Sequence, residues 1–275
     1  MSLKANYHTH TTYCDGKQSA AEMAKAAYEK GFTYLGFSGH SYTAFDESYC
    51  MSRQNVLQYR KDIAALQTEY AGKMDIFCGV EQDFYGTDDT KDFDFVIGSV
   101  HYIKQNGQYY AVDESEDLFL KVVKEGFGGD YIKYAKCYFE TVAQVVEKTN
   151  ADFIGHFDLL TKFNEGGKHF DMTQKAYRFL ALEAMEALLQ TGKPFEINTG
   201  AMYRGLRTEP YPSYDLLKQL QKWNGKVLLS SDSHDGNSLG FQFAEIKQAL
   251  QEFGFQVVHI WTKQGWKEIP LSEIM

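Results

Sequence analysis

Short apolar runs that favour β-strands alternate along this chain with longer patterns of helical periodicity, and this alternation constrains the fold most. The runs cover residues 4–8, 34–38, 75–80, 93–100, 153–155, 195–198, 227–230 and 256–260. Strands alternating with helices over 275 residues predict parallel pairing, and closure into a barrel is the arrangement that this length favours. Seven strand–helix units fit the chain better than eight. We therefore expect an α/β fold with a single domain over residues 1–275.

Start and stop signals predict where several of the intervening helices lie. Ser19 and Glu22 form a capping box that opens a helix ending at Gly31. Asp130 can cap a second helix, in which apolar residues recur every three or four positions. Three further helical patterns cover residues 171–192, 213–224 and 239–253. Each pattern follows an apolar run, which agrees with repeated strand–helix units.

Charge and cysteine usage exclude several classes of partner. The formal charge is −9, and no cluster of lysine and arginine is longer than a pair, so a broad nucleic-acid footprint is not expected. The four cysteines are far apart and form no CxxC pair, which is typical of reduced thiols in a cytosolic protein. No apolar run approaches membrane length, and no signal-peptide pattern opens the chain. We expect a cytoplasmic protein without nucleic-acid or membrane partners, and the sequence leaves its oligomeric state open.

Histidines and carboxylates recur where the predicted strands end. In chain order these residues are His8, His10, His40, Glu81, His101, His156, Asp158, Asp232 and His234, with Asn198 at the end of the sixth strand. Six of the eight histidines fall at strand ends, and only His169 and His259 do not. The carboxyl ends of all strands in a parallel barrel meet at one mouth, so we expect these side chains to gather there.

The gathered side chains are of types that bind divalent metals. Neutral imidazole and carboxylate suit zinc, manganese and iron, and no thiolate belongs to the set. Because residues i and i+2 of a strand point to the same side, His8 and His10 should act together, as should Asp232 and His234. The set is too large for one tetrahedral ion, which needs about four ligands. Two metals about 3.5–4 Å apart are the usual device for in-line attack on phosphorus. We therefore expect two or three divalent ions.

The ordered motifs resemble those of the polymerase and histidinol phosphatase (PHP) domain family. They are HTHTTYCDG from His8, GH at 39–40, GVE at 79–81, GSVH at 98–101, GHFD at 155–158 and SDSH at 231–234. Within that family, DFDFVIGSVHY, GHFDLLTKF, FEINTG and SSDSH look like the histidinol-phosphate phosphatase branch. The resemblance implies a distorted (β/α)7 TIM-like barrel with a trinuclear metal site.

The resemblance also implies which residues hold each ion. One ion would take His8, His10, Glu81 and Asp232. A second would share Glu81 and take His101 and His156, and a third would use Asp15, His40 and His234. Some family members carry histidine near the position of Asp15, so a form with two metals stays open. The second motif reads GH where many relatives have DH, so one supporting carboxylate is missing here.

The implied activity is hydrolysis of L-histidinol phosphate to L-histidinol and phosphate by a metal-bound hydroxide. Asp232, His234 or water would supply the proton that the leaving alkoxide needs. Arg204 and Arg207 follow the sixth strand, and a planar guanidinium binds phosphate oxygens in pairs, so both are candidate phosphate contacts. Arg53 is a weaker candidate for the same role. Asn198 would contact substrate or tie its loop, and Asp158 would support His156.

Other functions remain open at this stage. A nuclease like the PHP modules attached to DNA polymerases is disfavoured by the acidic charge. Amidohydrolases also begin with HxH, but they generally end in a lone aspartate, whereas this chain has Glu81 on the third strand and DSH near its end. A non-catalytic metal binder is disfavoured by the full ligand set. Another small phosphate monoester as substrate is the nearest rival.

Overall fold

Seven parallel strand positions surround the core in the computed structural model, which describes residues 3–274. One sheet contains β1 (Ala5–Asn6), β2 (Tyr34–Phe37) and β3 (Asp75–Cys78) in that order. The other has the order β10–β9–β8–β5–β4, formed by β4 (Val80–Asp83), β5 (Val96–Ser99), β8 (Phe153–Ile154), β9 (Phe195–Asn198) and β10 (Val227–Ser230). Because β3 and β4 are one run of chain interrupted at Gly79, the count of seven predicted from sequence is confirmed.

Two isolated parallel bridges join the sheets into a closed barrel. Thr9 pairs with Ser233, which connects the segments that follow β1 and β10. His40 pairs with Glu81, which connects the end of β2 with β4. Phe95 fills the interior beside the interruption, since a Cβ on Gly79 would lie 2.2 Å from its ring. The strand therefore breaks where the barrel interior leaves no room for a side chain.

Helices follow most of the barrel strands. They are α1 (Ala20–Glu29), α2 (Arg53–Glu69), α3 (Glu116–Phe127), α4 (Tyr131–Val142), α5 (Val145–Thr149), α6 (Lys175–Leu189), α7 (Gly200–Tyr203), α8 (Tyr214–Lys222) and α9 (Phe243–Phe253). The capping box at Ser19 and the cap at Asp130 are both present. The helix predicted from residue 239 begins only at Phe243, because Gln242 has a left-handed backbone with φ of 54°. No helix between residues 3 and 274 is long and apolar enough to cross a membrane.

Two antiparallel hairpins lie outside the barrel. The first consists of β6 (Tyr102–Gln105) and β7 (Gln108–Ala111), directly after the end of β5. The second consists of β11 (Val257–Thr262) and β12 (Gly265–Pro270), so the last apolar run predicted from sequence is not a barrel strand. The second hairpin packs on the barrel interior, where the Tyr7 hydroxyl donates to the Trp261 carbonyl at 2.6 Å.

Candidate metal centre

Backbone hydrogen bonds between the ends of β1 and β10 bring two pairs of candidate ligands together. The amide of His10 donates to the Ser233 carbonyl at 2.8 Å, and the amide of Ser233 donates to the His8 carbonyl at 3.0 Å. Side chains alternate in direction along each segment, so the residues flanking Thr9 and Ser233 share one face. This register places His8 and His10 opposite Asp232.

Four buried ligand atoms form the deepest group. The Nε2 atoms of His8 and His10 lie 3.1 and 3.5 Å from Glu81 Oε2, and 3.6 and 3.3 Å from Asp232 Oδ1. Ligands about 2.0–2.2 Å from a tetrahedral ion are separated by roughly 3.3–3.6 Å, which matches this spacing. His8 Nε2, His10 Nε2 and Glu81 Oε2 are buried and make no hydrogen bond. Burying polar atoms without a hydrogen bond costs free energy unless a cation binds them. This group of atoms therefore fits a metal ion.

Glu81 lies between this group and the other imidazoles. Its Oε1 is 2.9 Å from His156 Nε2 and 3.0 Å from His101 Nε2, and it also accepts from the Ser99 hydroxyl at 2.7 Å. Its Oε2 is 2.9 Å from His40 Nδ1. One carboxylate that is 1% exposed thus contacts imidazoles from several strand ends, as a bridge between two ions would.

A third group lies nearer the surface. Asp15 Oδ2 is 3.2 Å from His234 Nε2 and 3.6 Å from His40 Nε2, and the ring of His10 stacks on that of His234 with centroids 4.2 Å apart. Donor atoms within 4.8 Å of one another define three sets: His8, His10 and Asp232; His40, Glu81 and His101; and His10, Asp15, His40 and His234. The structure therefore brings together every candidate ligand, with His156 joined to the sets through Glu81.

Opposite charges within the cluster perturb its protonation. Burial opposes the charged form of His40, but the carboxylates of Glu81 and Asp15 outweigh it and raise the pKa to about 9. Burial and the neighbouring His234 and His40 lower the pKa of His10 to about 3. Burial disfavours ionised Glu81, yet the surrounding imidazoles hold its pKa well below the usual value. Protons thus partly balance the carboxylates when no metal is bound, and metal binding must release them.

Two carboxylates that the sequence analysis did not select orient the histidines. Glu196 Oε1 lies 2.5 Å from His8 Nδ1, and Asp113 Oδ1 lies 3.4 Å from His101 Nδ1. A histidine that binds metal usually donates its other ring N–H to such a group, which fixes the tautomer. Strand alternation could have identified Glu196, because it precedes Asn198 by two residues on β9. Asp113 follows the hairpin of β6 and β7, which was not predicted, and strand alternation alone does not identify it.

Asn198 and Asp158 have structural partners. The Asn198 side chain donates to Glu196 at 3.0 Å and accepts from the Gly200 amide at 2.8 Å, which ties the loop after β9. Asp158 accepts from the Ser213 amide at 3.1 Å, and His156 Nδ1 has no hydrogen-bond partner within residues 3–274, so the expected support of His156 by Asp158 is wrong. Burial raises the pKa of Asp158 to about 6.

Of the three candidate phosphate contacts, only Arg204 lines the cavity above the cluster. Its Nη2 lies 3.2 Å from Asp232 Oδ2, the oxygen that does not face His8. Arg207 is 3% exposed and donates to the Thr161 carbonyl at 2.9 Å and to Glu209 at 3.2 Å, away from the cavity. Arg53 is exposed and pairs with Asp88 at 3.0 Å. The structure therefore brings one arginine of the three to the metal centre.

The cavity has a volume of about 370 Å³, which suits a small molecule. Glu81, His101 and His156 form part of its floor. Lys162, which the sequence analysis did not select, also lines it and pairs with Asp113 at 2.9 Å. The metal cluster and three cationic side chains, those of Lys17, Lys162 and Arg204, thus line one cavity of substrate size.

Comparisons with known proteins agree with this geometry. A sequence model described as "PHP domain" matches residues 6–200. The chain is 30% identical over 273 residues to a "probable histidinol-phosphatase" of Deinococcus radiodurans, covering 94% of this chain and 96% of the relative. It is 22% identical to the histidinol-phosphatase of Bacillus subtilis, covering 87% of this chain and 97% of that protein.

A solved structure shares the fold over nearly the full length. It is the histidinol phosphate phosphatase of Lactococcus lactis in complex with zinc, L-histidinol and phosphate. The TM-score is 0.71 at 22% sequence identity, with 96% of this chain and 98% of that chain covered. The barrel seen here is thus a fold that histidinol phosphate phosphatases adopt.

Proposed function

Because the chain belongs to the PHP domain family, we propose that it is a metal-dependent phosphomonoesterase that hydrolyses L-histidinol phosphate to L-histidinol and phosphate. The observation that carries this proposal is the carboxylate of Glu81, which lies among buried imidazoles on the floor of a cavity that Arg204 also lines. The names of the relatives and the ligands in the Lactococcus structure support the choice of substrate.

The residues that would hold the ions are those named from sequence. His8, His10, Asp15, His40, Glu81, His101, His156, Asp232 and His234 would bind two or three ions of zinc, manganese or iron. When bound, these ions act as Lewis acids on the phosphate and make hydroxide available near neutral pH. Gly200 leaves room for the innermost aspartate, because a Cβ there would lie 2.8 Å from Asp232 Oδ2.

Residues of the chain itself position the phosphate and move protons. Arg204 would donate to two phosphate oxygens as a planar fork, and Lys162 would add a second positive charge beside His101 and His156. Burial disfavours ionised Asp232, but His8 and Arg204 hold its pKa well below the usual value. Asp232 therefore stays ionised near neutral pH and would act chiefly as a metal ligand, which leaves His234 or water to give the leaving alkoxide its proton.

The role of Arg207 in this proposal is indirect. Its guanidinium joins the loop after β8 to the loop after β9, through Thr161 and Glu209. Arg204 lies in the second of these loops, so Arg207 would hold Arg204 in place and would not touch phosphate. This assignment replaces the direct contact expected from the sequence.

We assign the whole chain, residues 1–275, to one domain. The family match ends at residue 200, but Asp232 and His234 come from beyond it and complete two of the three ligand sets. A nuclease remains the alternative from another class. A formal charge of −9 and a cavity of about 370 Å³ favour a small substrate over a polynucleotide.

Metal content and substrate preference test the proposal together. The protein is purified without chelator, its metals are counted by elemental analysis, and phosphate release is compared between L-histidinol phosphate and a generic aryl phosphate. We expect two or three ions per chain and a strong preference for L-histidinol phosphate. Equal slow turnover of both esters would contradict the substrate, and digestion of single-stranded DNA in preference to both would favour the nuclease. Glu81→Gln should abolish turnover, whereas the exposed Glu183→Gln should not.

A further inference from the structure

Four carboxylates outside the proposed ligand set line the cavity above the metal centre, and they differ in whether a cation neutralises them. They are Asp46, Asp113, Glu114 and Asp235. Asp113 pairs with Lys162 at 2.9 Å, and Asp235 pairs with Lys17 at 3.4 Å. The other two have no cationic partner between residues 3 and 274. We refer to Asp46 and Glu114 as the unpaired carboxylates.

The unpaired carboxylates differ in their surroundings. Asp46 accepts hydrogen bonds from the hydroxyls of Tyr102, at 2.5 Å, and Ser48, at 2.6 Å. These neutral donors, with Ser48 N–H, lower its pKa although burial acts in the opposite direction. Glu114 is exposed and makes neither a hydrogen bond nor an ion pair within residues 3–274. Neither carboxylate thus has a lysine, arginine or histidine as an ion-pair partner in the part of the chain that the structure describes.

Both unpaired carboxylates lie on the side of the cavity that faces the first hairpin. A neighbouring cavity of about 500 Å³, under β6, β7 and α3, is lined by Asp46, Glu114, Tyr102 and Ala111 as well. The floor of the metal cavity holds Glu81, whose Oε2 is buried and makes no hydrogen bond. Asp46 and Glu114 therefore line the same cavity as the proposed metal centre. The floor of the cavity thus holds the proposed metal ligands, with Arg204 beside them. Another part of its wall carries the two unpaired carboxylates.

We propose that Asp46 and Glu114 bind a positively charged group of the substrate, so that the site selects phosphate monoesters of amino alcohols. This inference rests on the proposed function and specifies its substrate class. A primary ammonium donates up to three hydrogen bonds and would complete the charge balance that the chain leaves open. L-Histidinol phosphate carries such an ammonium on the carbon next to the ester methylene. Sugar phosphates carry no cation, and they would leave both carboxylates facing neutral hydroxyls.

The test compares two substrates that differ only in the ammonium. They are L-histidinol phosphate and 3-(imidazol-4-yl)propyl phosphate, which lacks the amine. The metal-loaded wild-type protein should prefer the first in kcat/KM. Glu114→Gln should lower kcat/KM for L-histidinol phosphate about three- to tenfold and leave that for the other ester unchanged. The wild-type preference should shrink as salt is raised, because part of it comes from an accessible charge.

Glu125→Gln is the matched control, since Glu125 is an exposed glutamate that lines only the neighbouring cavity. This substitution should leave kcat/KM unchanged for both esters. An equal loss for both esters in Glu114→Gln, or no loss for either, would overturn the inference while the phosphatase assignment stands. Wild-type hydrolysis of both esters at equal rates would overturn it in the same way. Failure of the wild-type protein to hydrolyse either ester would instead remove the proposed function, and the inference with it.

Discussion

Glu196 Oε1 lies 2.5 Å from His8 Nδ1, on the opposite side of the imidazole from the nitrogen that faces Glu81 and Asp232. The other oxygen of Glu196 accepts from the backbone amide of His156 at 2.9 Å. A single buried carboxylate therefore orients one candidate ligand directly and fixes the backbone of another. Because Glu196 does not face the cavity, it affects the site by positioning His8 and His156.

Replacing Glu196 should weaken metal binding without removing a ligand. The Glu196→Gln side chain keeps the shape but loses the charge that favours His8 Nδ1–H, so we expect metal affinity to fall about 10–100-fold. Titration of the metal-free protein with zinc, followed by calorimetry, measures this change. Excess metal should restore most of the turnover. Unchanged affinity would show that His8 is oriented without this carboxylate.

Removing Arg204 should reduce phosphate binding. The guanidinium lines the cavity and is held at 3.2 Å from Asp232, so Arg204→Ala loses a charge-assisted contact to the substrate. We expect kcat/KM to fall about 10–100-fold and inhibition by inorganic phosphate to weaken by a similar factor. Arg204→Lys should recover only part of this, because an ammonium cannot bind two oxygens in parallel. Arg53→Ala is the control, and a loss there as large as in Arg204→Ala would contradict the assignment.

The pH dependence of stability should change sign with metal occupancy. Neighbouring carboxylates raise the pKa of His40 to about 9, and they raise those of His8 and His101 well above the usual value, in each case against the effect of burial. Stability from a histidine with a raised pKa is complete below about 6.5 and is lost as pH rises through the folded value. The metal-free protein should therefore lose stability between pH 6.5 and 9.

The metal-loaded protein should behave differently, because ions compete with protons for the same nitrogens. We expect its melting temperature to hold or rise over the pH interval in which that of the chelated protein falls. Thermal unfolding of both forms at several pH values measures the difference. Parallel curves for the two forms would mean that these histidines do not exchange protons for metal.

Arg207 should matter for stability more than Arg204 does. Its guanidinium is 3% exposed and lies among Glu165, Glu209 and the Thr161 carbonyl, so Arg207→Met would leave buried acceptors without their donor. We expect a loss of about 3–5 kcal/mol in the free energy of unfolding, measured by urea denaturation. The exposed Arg53→Met should change it by less than about 1 kcal/mol. A small effect at Arg207 would show that the loop is held by other contacts.

The barrel, and the gathering of histidines and carboxylates at its strand ends, could be predicted from the periodicity of the sequence and the rule that parallel strands end at one mouth. Alternation along β1 alone predicts that His8 and His10 share a face, and the expected closure of the barrel brings the end of β10 with Asp232 beside them. The hairpin of β6 and β7 was not predicted, although Asn106-Gly107 between its strands is a dipeptide typical of two-residue hairpin turns. Helix α2 was harder to predict because its buried residues are few, chiefly Tyr59, Ile63 and Leu66.

Contacts between distant loops could not be predicted from periodicity. Arg204 and Arg207 are three residues apart in one loop, yet one lines the cavity and the other is buried against Thr161. Asp113 reaches His101 only because a hairpin returns the chain to the end of β5. Such outcomes depend on how loops pack across the barrel mouth, and nothing in the local sequence determines that packing.

The two bridges that close the barrel also have a consequence for assembly of the chain. Thr9–Ser233 lies between the ligands at the first seam, and His40–Glu81 is itself a pair of ligands at the second. Ions bound there would cross-link the two sheets at both seams and would join the beginning of the chain to its end. Closing so long a loop costs conformational entropy, which metal coordination would offset. The same ligand atoms would then stabilise the closed barrel and hold the reactive centre.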